Sequence, residues 1–292
     1  MPDTLTYRNE APKLLPLYAR ALSRKGGRGA SDITLPELSA RLVGAGTSSP
    51  ALDRFQAICG APQTRHLPIT WPHLIAFPLH LRLLTDKQFP LPLLGLVHLR
   101  NTITQHRDIG RGEILDLSVR LGAQERTSRG IEFDLITEAY ASGRLVWEES
   151  SVNLFRQPAP NEGANKGKSA PPKLERYPNT LDVSAPEAIG RQYAAVSGDR
   201  NPIHMHALSA KAFGFPRAIA HGMWSKARVL ALLQQQPDWQ AGPVRVSCQF
   251  KKPLFLPGTA QLNWQTGTSG WDYQLLNAKG DAPHLSGRID WL

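Results

Sequence analysis

Apolar and polar residues alternate along six stretches of the chain. Three lie close together, at 114–124 (ILDLSVRLGAQ), 130–143 (GIEFDLITEAYASG) and 144–157 (RLVWEESSVNLFRQ). Three more follow a long interval, at 260–267 (AQLNWQTG), 271–280 (WDYQLLNAKG) and 284–292 (HLSGRIDWL). A period of two buries one face of each segment, and the Gly-containing turns between segments make neighbours antiparallel. Ahead of the second trio, Ile219, Met223, Ala227, Leu230 and Leu233 form a stripe at helical spacing, closed by Gln234-Gln235-Gln236-Pro237. A matching helix is expected ahead of the first trio. The pattern predicts an α+β protein in which each half lays one long helix on an antiparallel sheet.

Between the two trios lies QPAPNEGANKGKSAPPKLER (157–176), rich in Pro, Gly, Asn and Lys and nearly devoid of large apolar side chains. It reads as a linker between residues 1–156 and 177–292. The halves look like diverged copies. FQAICGA (55–61) lines up without a gap on YAAVSGD (193–199). Ile75-Ala76-Phe77-Pro78 lines up on Ile219-Ala220-His221-Gly222, each expected to open a helix. ITQHRDIGRG (103–112) resembles CQFKKPLFLPG (248–258), a strand ending in a glycine turn. Three matches in one order predict an internal duplication. Residues 1–50 read as an extension with one or two helices and a basic, glycine-rich stretch, SRKGGRGAS (23–31).

Composition narrows the function classes. The chain has 292 residues, 41% of them hydrophobic, enough for a substantial core. No apolar run is long enough to span a bilayer, and the N-terminus lacks the apolar core of a secretory signal. The two cysteines, Cys59 and Cys248, are far apart in sequence, which suits reduced thiols in the cytoplasm. The net charge of +10 is spread over both halves and not gathered into an arm. With no interleaved basic and aromatic motif, a nucleic-acid partner is not expected. An acidic or phosphate-bearing partner fits the excess better.

The candidate chemistry sits in YAAVSGDRNPIH (193–204) and in His221-Gly222 beyond it. Gly198 and Asn201-Pro202 interrupt any helix, so Asp199 and His204 are expected on a loop. Gly222 falls where a helix begins, so its N–H is free of an intrahelical partner and has no Cβ in front of it. An acid, a base and a backbone donor are the parts needed to move a proton beside a carbonyl. Alone, Asp199 is an ordinary cap residue and His204 an ordinary structural histidine. The joint spacing is what singles them out. His204-x-His206 with Asp199 is the alternative, a metal site, but two histidines two apart are a weak signal.

YAAVSGDRNPIH followed by AFGFPRAIAHGM (212–223) resembles the MaoC-like dehydratases, also called (R)-specific enoyl-CoA hydratases. The two-half chain is similar to the double-hotdog 3-hydroxyacyl-thioester dehydratases among them. The resemblance implies a double hotdog, each repeat a curved antiparallel sheet wrapped around a long central helix. It implies reversible hydration of a trans-2-enoyl thioester to a (3R)-3-hydroxyacyl thioester, carried by CoA or acyl carrier protein. Asp199 and His204 would then hold a water, Gly222 would donate to the thioester oxygen, and Asn201 would orient the dyad or bind the water. His221 would shape the pocket, and Arg217, Lys251 and Lys252 are candidates for the substrate phosphates. No metal and no cofactor is implied, and monomer and homodimer are both open. In the first copy Ala61 stands at the position of Asp199 and Pro78 at that of Gly222, so that half is expected to be silent. Its Leu74, Phe77, Leu79, Leu81 and Leu83 would be core or pocket wall, with core the better fit, and no role falls to His66 or His98. The alternative is an inactive acyl-thioester-binding subunit that keeps the fold.

Overall fold

In a computed structural model of the chain, which describes residues 4–23, 33–157 and 174–292, eleven strands form one sheet. Most of the linker and the basic stretch from Arg24 to Ser31 lie outside the described residues. In chain order the elements are β1 (Leu5–Arg8), α1 (Leu14–Ser23), β2 (Ser39–Gly46), α2 (Pro50–Cys59), α3 (Trp71–Leu84), β3 (Leu96–Gln105), β4 (Ile114–Thr127), β5 (Gly130–Ala141) and β6 (Arg144–Arg156). Then come β7 (Asn179–Ala185), α4 (Ile189–Ser197), α5 (Pro202–Met205), α6 (Ala207–Lys211), α7 (Gly222–Leu233), β8 (Val244–Phe250), β9 (Gly258–Gln265), β10 (Gly270–Asn277) and β11 (Pro283–Trp291). The strand order is β1-β2-β4-β5-β6-β3-β8-β11-β10-β9-β7. Without β1, which pairs parallel to β2, the order reads the same from either end once each strand is replaced by its counterpart. The six alternating segments form β4, β5, β6, β9, β10 and β11.

The two repeats meet where β3 pairs antiparallel with β8, from Arg100 opposite Gln249 to Gln105 opposite Val244. A fully buried lysine, Lys226 of α7, reaches this seam. Its Nζ donates to the Val246 carbonyl (3.0 Å) and to the Asn101 side-chain oxygen. Asn101 in turn donates to Glu149 (2.6 Å) and to Ser151 (2.9 Å) on β6. A buried charge is tolerable only when its hydrogen-bonding capacity is met, and here backbone and amide oxygens meet it.

The duplication is visible in matching details. Both α2 and α4 end on a glycine in the left-handed region, Gly60 (φ 66°) and Gly198 (φ 78°). Leu67 donates to the Ile109 carbonyl as Ala220 does to that of Leu254. The helical match needs correction. Pro78 lies inside α3, seven residues past its first residue Trp71, and so is not the counterpart of Gly222, which opens α7. The helical match fails because the connections differ in length by more than it allowed, while the match of FQAICGA on YAAVSGD agrees with the two helix-ending glycines. The bridge at His66 comes six positions after Gly60, but the equivalent bridge at Ile219 comes twenty-one positions after Gly198. The longer connection holds α5 and α6. Ile219 itself precedes α7, so the apolar stripe starts one turn before the helix. Residues 1–50 also contain more than an extension, since β2 is the first repeat's counterpart of β7.

Candidate active site

The site is assembled by the connection after α4. Gly198 ends the helix, and a Cβ there would come within 2.5 Å of Leu14 in α1. Asp199 then makes a tight polar turn: its N–H donates to Ser197 Oγ (3.1 Å), and its Oδ1 accepts from the Asn201 N–H (3.1 Å). The Asn201 side chain caps α5 by accepting from the Ile203 N–H (3.4 Å), with Pro202 in the first turn where no N–H is needed. His204 therefore lies on one turn of helix and not on an open loop. Asn201 orients that turn through its cap.

Hydrogen bonds fix the two rings. His204 Nδ1 lies 2.8 Å from the Ile219 carbonyl. A carbonyl only accepts, so the proton is on Nδ1, and Nε2 of the neutral ring has a free lone pair. His221 Nε2 likewise donates to the Asp199 carbonyl at 3.0 Å and stands 3.9 Å from Asp199 Oδ2. The His204 and His221 rings stack at 3.7 Å, and Tyr193 packs on the other side of His221 at 4.9 Å. Burial pushes His204 below its ordinary value against the pull of Asp199. His221 is pushed to about 3, first by burial and then by His204. Burial alone would raise the Asp199 carboxyl, but His221 and His204 outweigh it and hold the group below the usual carboxylate range. At neutral pH the site thus presents a carboxylate and a neutral imidazole, two proton acceptors.

Gly222 is the first residue of α7, and a Cβ on it would stand 2.9 Å from the Phe250 ring. A cavity of about 550 Å³ opens onto Asp199, Asn201, His204, His221 and Gly222 and is also faced by Lys251 and Lys252. Arg217 is turned elsewhere: its guanidinium donates to the Pro257 carbonyl (3.2 Å) and lies over Phe255. His206 is exposed at the start of α6. Among the described residues, the ligand-type atoms lying within 4.8 Å of one another here belong to Asp199, His204 and His221, so the metal alternative built on His206 does not assemble.

Several residues at the site escaped the sequence reading. Tyr18 of α1 lines the cavity and clasps the turn: its hydroxyl donates to the Gly198 carbonyl (2.8 Å) and accepts from the Arg200 N–H (2.8 Å). The cavity also runs into the first repeat, to His73, Phe77, His80, Leu81, His98 and Ser151. Phe77 and Leu81 are thus wall, while Leu74, Leu79 and Leu83 are core. His73 Nδ1 lies 2.9 Å from Glu149, and His80 Nε2 lies 2.8 Å from the Thr137 hydroxyl. His98 faces the cavity, although its position on a strand suggested no role. A signal was present in β6, where Glu149 and Ser151 occupy buried positions of an alternating strand.

A model of the MaoC like domain matches residues 169–276. The chain belongs to the MaoC-like dehydratases, and its fold is the double hotdog. Among characterised proteins it is 36% identical to 3-hydroxyacyl-thioester dehydratase X of Mycobacterium tuberculosis, over 80% of this chain and 82% of that one. A segment covering 27% of this chain is 45% identical to 4% of the fatty acid synthase subunit beta of Saccharomyces cerevisiae. Among solved structures, HtdX of Mycobacterium tuberculosis superposes with a TM-score of 0.74 at 31% identity, covering 87% of this chain and 100% of that chain. A MaoC-like dehydratase from Phytophthora capsici shares the fold at 18% identity, with a TM-score of 0.69, covering 89% of this chain and 96% of that one. Among the described residues no helix is long and apolar enough to cross a membrane.

Proposed function

We propose that the chain catalyses reversible hydration of trans-2-enoyl thioesters to (3R)-3-hydroxyacyl thioesters, with Asp199 and His204 as the catalytic pair. The observation that carries the reading is the pairing of a carboxylate with a fixed His204 tautomer whose Nε2 lone pair is free. In hydration the two acceptors hold one water by its hydrogens. Its oxygen bonds to C3 as one proton passes to the pair, the C2–C3 π electrons move toward C2 and the thioester oxygen, and the same proton is returned to C2. Dehydration runs the steps backwards. The Gly222 N–H, at the positive end of α7, faces the oxygen on which charge gathers. Asn201 and His221 position the pair, and Lys251 and Lys252 at the cavity suit the phosphates of CoA or of a carrier protein.

The first repeat we read as catalytically silent. It carries Ala61 after its helix-ending glycine and lacks the segment that bears His204. At the start of α3, the Trp71 N–H is already given to the Pro68 carbonyl and Pro72 has no N–H to offer. One chain supplies both repeats, so the site is complete in a monomer, and a homodimer would hold two independent sites. The free, buried Cys59 and Cys248 suit a reducing cytoplasm. The test follows loss of enoyl absorbance on mixing the chain with crotonyl-CoA and longer enoyl-CoA thioesters. Turnover that vanishes in Asp199→Asn supports the reading. Tight acyl-CoA binding without turnover at any chain length would instead identify an inactive acyl-thioester-binding subunit.

A further inference from the structure

The cavity is open at one end and closed at the other. At the open end Phe213, Lys251 and Lys252 are exposed. At the closed end it meets Leu81 and Leu84 of α3 and Leu135 of β5, all of them buried. Helix and strand are pinned together there. His80 Nε2 lies 2.8 Å from the hydroxyl of Thr137, two positions along β5 from Leu135. The polar groups on the first-repeat wall are answered inside the fold, His73 by Glu149, His80 by Thr137 and Ser151 by Asn101. The floor itself is three leucine side chains, a surface that favours hydrocarbon over water.

Two rulers within the fold measure how far this floor lies from the reacting atoms. The first runs across the sheet. Cys248 of β8, Asn101 of β3, Ser151 of β6 and Leu135 of β5 lie opposite one another in a single row. Three steps between strands, each of about 4.8 Å, make about 14 Å. Phe250, two positions on from Cys248, is the ring that borders Gly222, where the thioester carbonyl is placed. The second ruler runs along α3. Phe77 stands 3.6 Å from where a Cβ on Gly198 would be, next to Asp199 in the chain. Phe77, Leu81 and Leu84 share one face of the helix, at i, i+4 and i+7. At about 1.5 Å per residue, the step from Phe77 to Leu84 is about 10 Å. An extended alkyl chain, with bonds of about 1.5 Å meeting at about 111°, advances about 1.25 Å per carbon. Counted from C1 at Gly222, the first ruler ends after about eleven carbons. Counted from C3 at Asp199, the second ends about eight carbons further on, at the same depth.

We infer that the junction of α3 with β5 is the floor of an acyl pocket, that Leu135 sets its depth, and that the preferred thioesters carry straight acyl chains of about ten to twelve carbons. Leu135 is thus a specificity-determining residue contributed by the repeat that lacks the catalytic pair. This rests on the thioester reading given above, and the experiment separates the two. Straight-chain trans-2-enoyl-CoA thioesters, from crotonyl-CoA to hexadecenoyl-CoA, are compared by kcat/KM with the full chain. In parallel, calorimetry measures binding of the matching saturated CoA thioesters, which cannot react. Up to the optimum, kcat/KM should rise by about fourfold for each added methylene. By hexadecenoyl-CoA it should have fallen again by roughly tenfold or more. Leu135→Ala removes carbons from the floor and should move the optimum about two carbons longer. Leu117→Ala, in β4 and equally buried but away from the cavity, should lower stability without moving the optimum. The profile of the unaltered protein carries the test if Leu135→Ala does not fold. A flat profile, or one that peaks at crotonyl-CoA or at hexadecenoyl-CoA, overturns the floor and leaves the hydratase reading standing. An optimum that stays in place in folded Leu135→Ala also overturns it. Affinity that peaks at the expected length without any turnover supports the floor and removes the hydratase reading. Binding of none of the thioesters removes both.

Discussion

The two repeats share a frame and differ in what fills one corner of it. After α2, Gly60 is overlaid by the Arg228 guanidinium, which also donates to the Cys59 carbonyl (3.2 Å). After α4, the same corner at Gly198 is overlaid by Leu14 and Tyr18 and leads into a longer connection with its own two short helices. One corner is plugged by a side chain from the opposite repeat, and the other is extended and clasped by α1. The central helices differ too. α3 turns His73 and His80 inward, whereas α7 buries Met223 and Leu230. The candidate acid and base sit in one connection, and the polar wall belongs to the other copy. A fold supplies positions, and the reaction depends on what is placed there.

The sharpest way to break this comparison is to remove acids and bases from each copy in turn. Asp199→Asn or His204→Ala should lower kcat/KM by about 10²–10⁴-fold, the usual worth of acid–base help, with little change in melting temperature. His66→Ala, at the exposed site in the first repeat, should change neither rate nor melting. Steady-state kinetics decide the matter, and equal damage from His66→Ala would end the asymmetry. Next in size is the seam. Lys226→Ala removes the cation that ties α7 to Asn101 and leaves Glu149 buried with less compensation, so urea unfolding should show a loss of about 3–5 kcal/mol.

A third outcome concerns acid stability. The unfolded chain protonates its histidines as pH falls below their ordinary value of 6.5. In the fold His98 resists until about 4, and His80 and His221 until about 3, all pushed down by burial. Stability should therefore decline with falling pH from 6.5 towards that range. His98→Phe should flatten the decline by about one proton in the slope of unfolding free energy against pH, measured by denaturant melts at stepped pH. An unchanged slope would mean that the ring is not held neutral in the fold. Smallest is the clasp. Tyr18→Phe removes one hydroxyl that serves two backbone groups, worth about 1 kcal/mol, and should lower kcat several-fold through the catalytic turn while the ring still lines the cavity. A rise in KM alone would place Tyr18 in binding instead.

Much of this was legible in the sequence, for physical reasons. Alternation reports strands because the side-chain period matches the pleat, and all six alternating segments are strands. Asp199, Asn201 and Pro202 announced a turn because each has a local backbone role. Other features depended on distance and connection length. The central helix of the first repeat was misaligned because Pro78 suggested a helix start, whereas packing keeps it inside α3. The length of the connection after Gly198 is set by α5 and α6, and no short motif match reports it. Tyr18 meets the site across a separation of 180 residues, which no local pattern encodes. Glu149 and Ser151 were counted as the polar half of an alternation, but β6 turns them inward, where Asn101 and His73 await.

One continuous chain carries both copies, and the β3–β8 pairing joins their sheets, which has an evolutionary consequence. In a symmetric pair of separate subunits, every substitution appears twice, once on each side of the axis. A buried histidine useful in one wall would be forced into the other as well, beside the reacting carbons. Tandem fusion lifts that restriction. Each copy is free to drift alone, so a side chain placed in one wall of the cavity need not be repeated in the other.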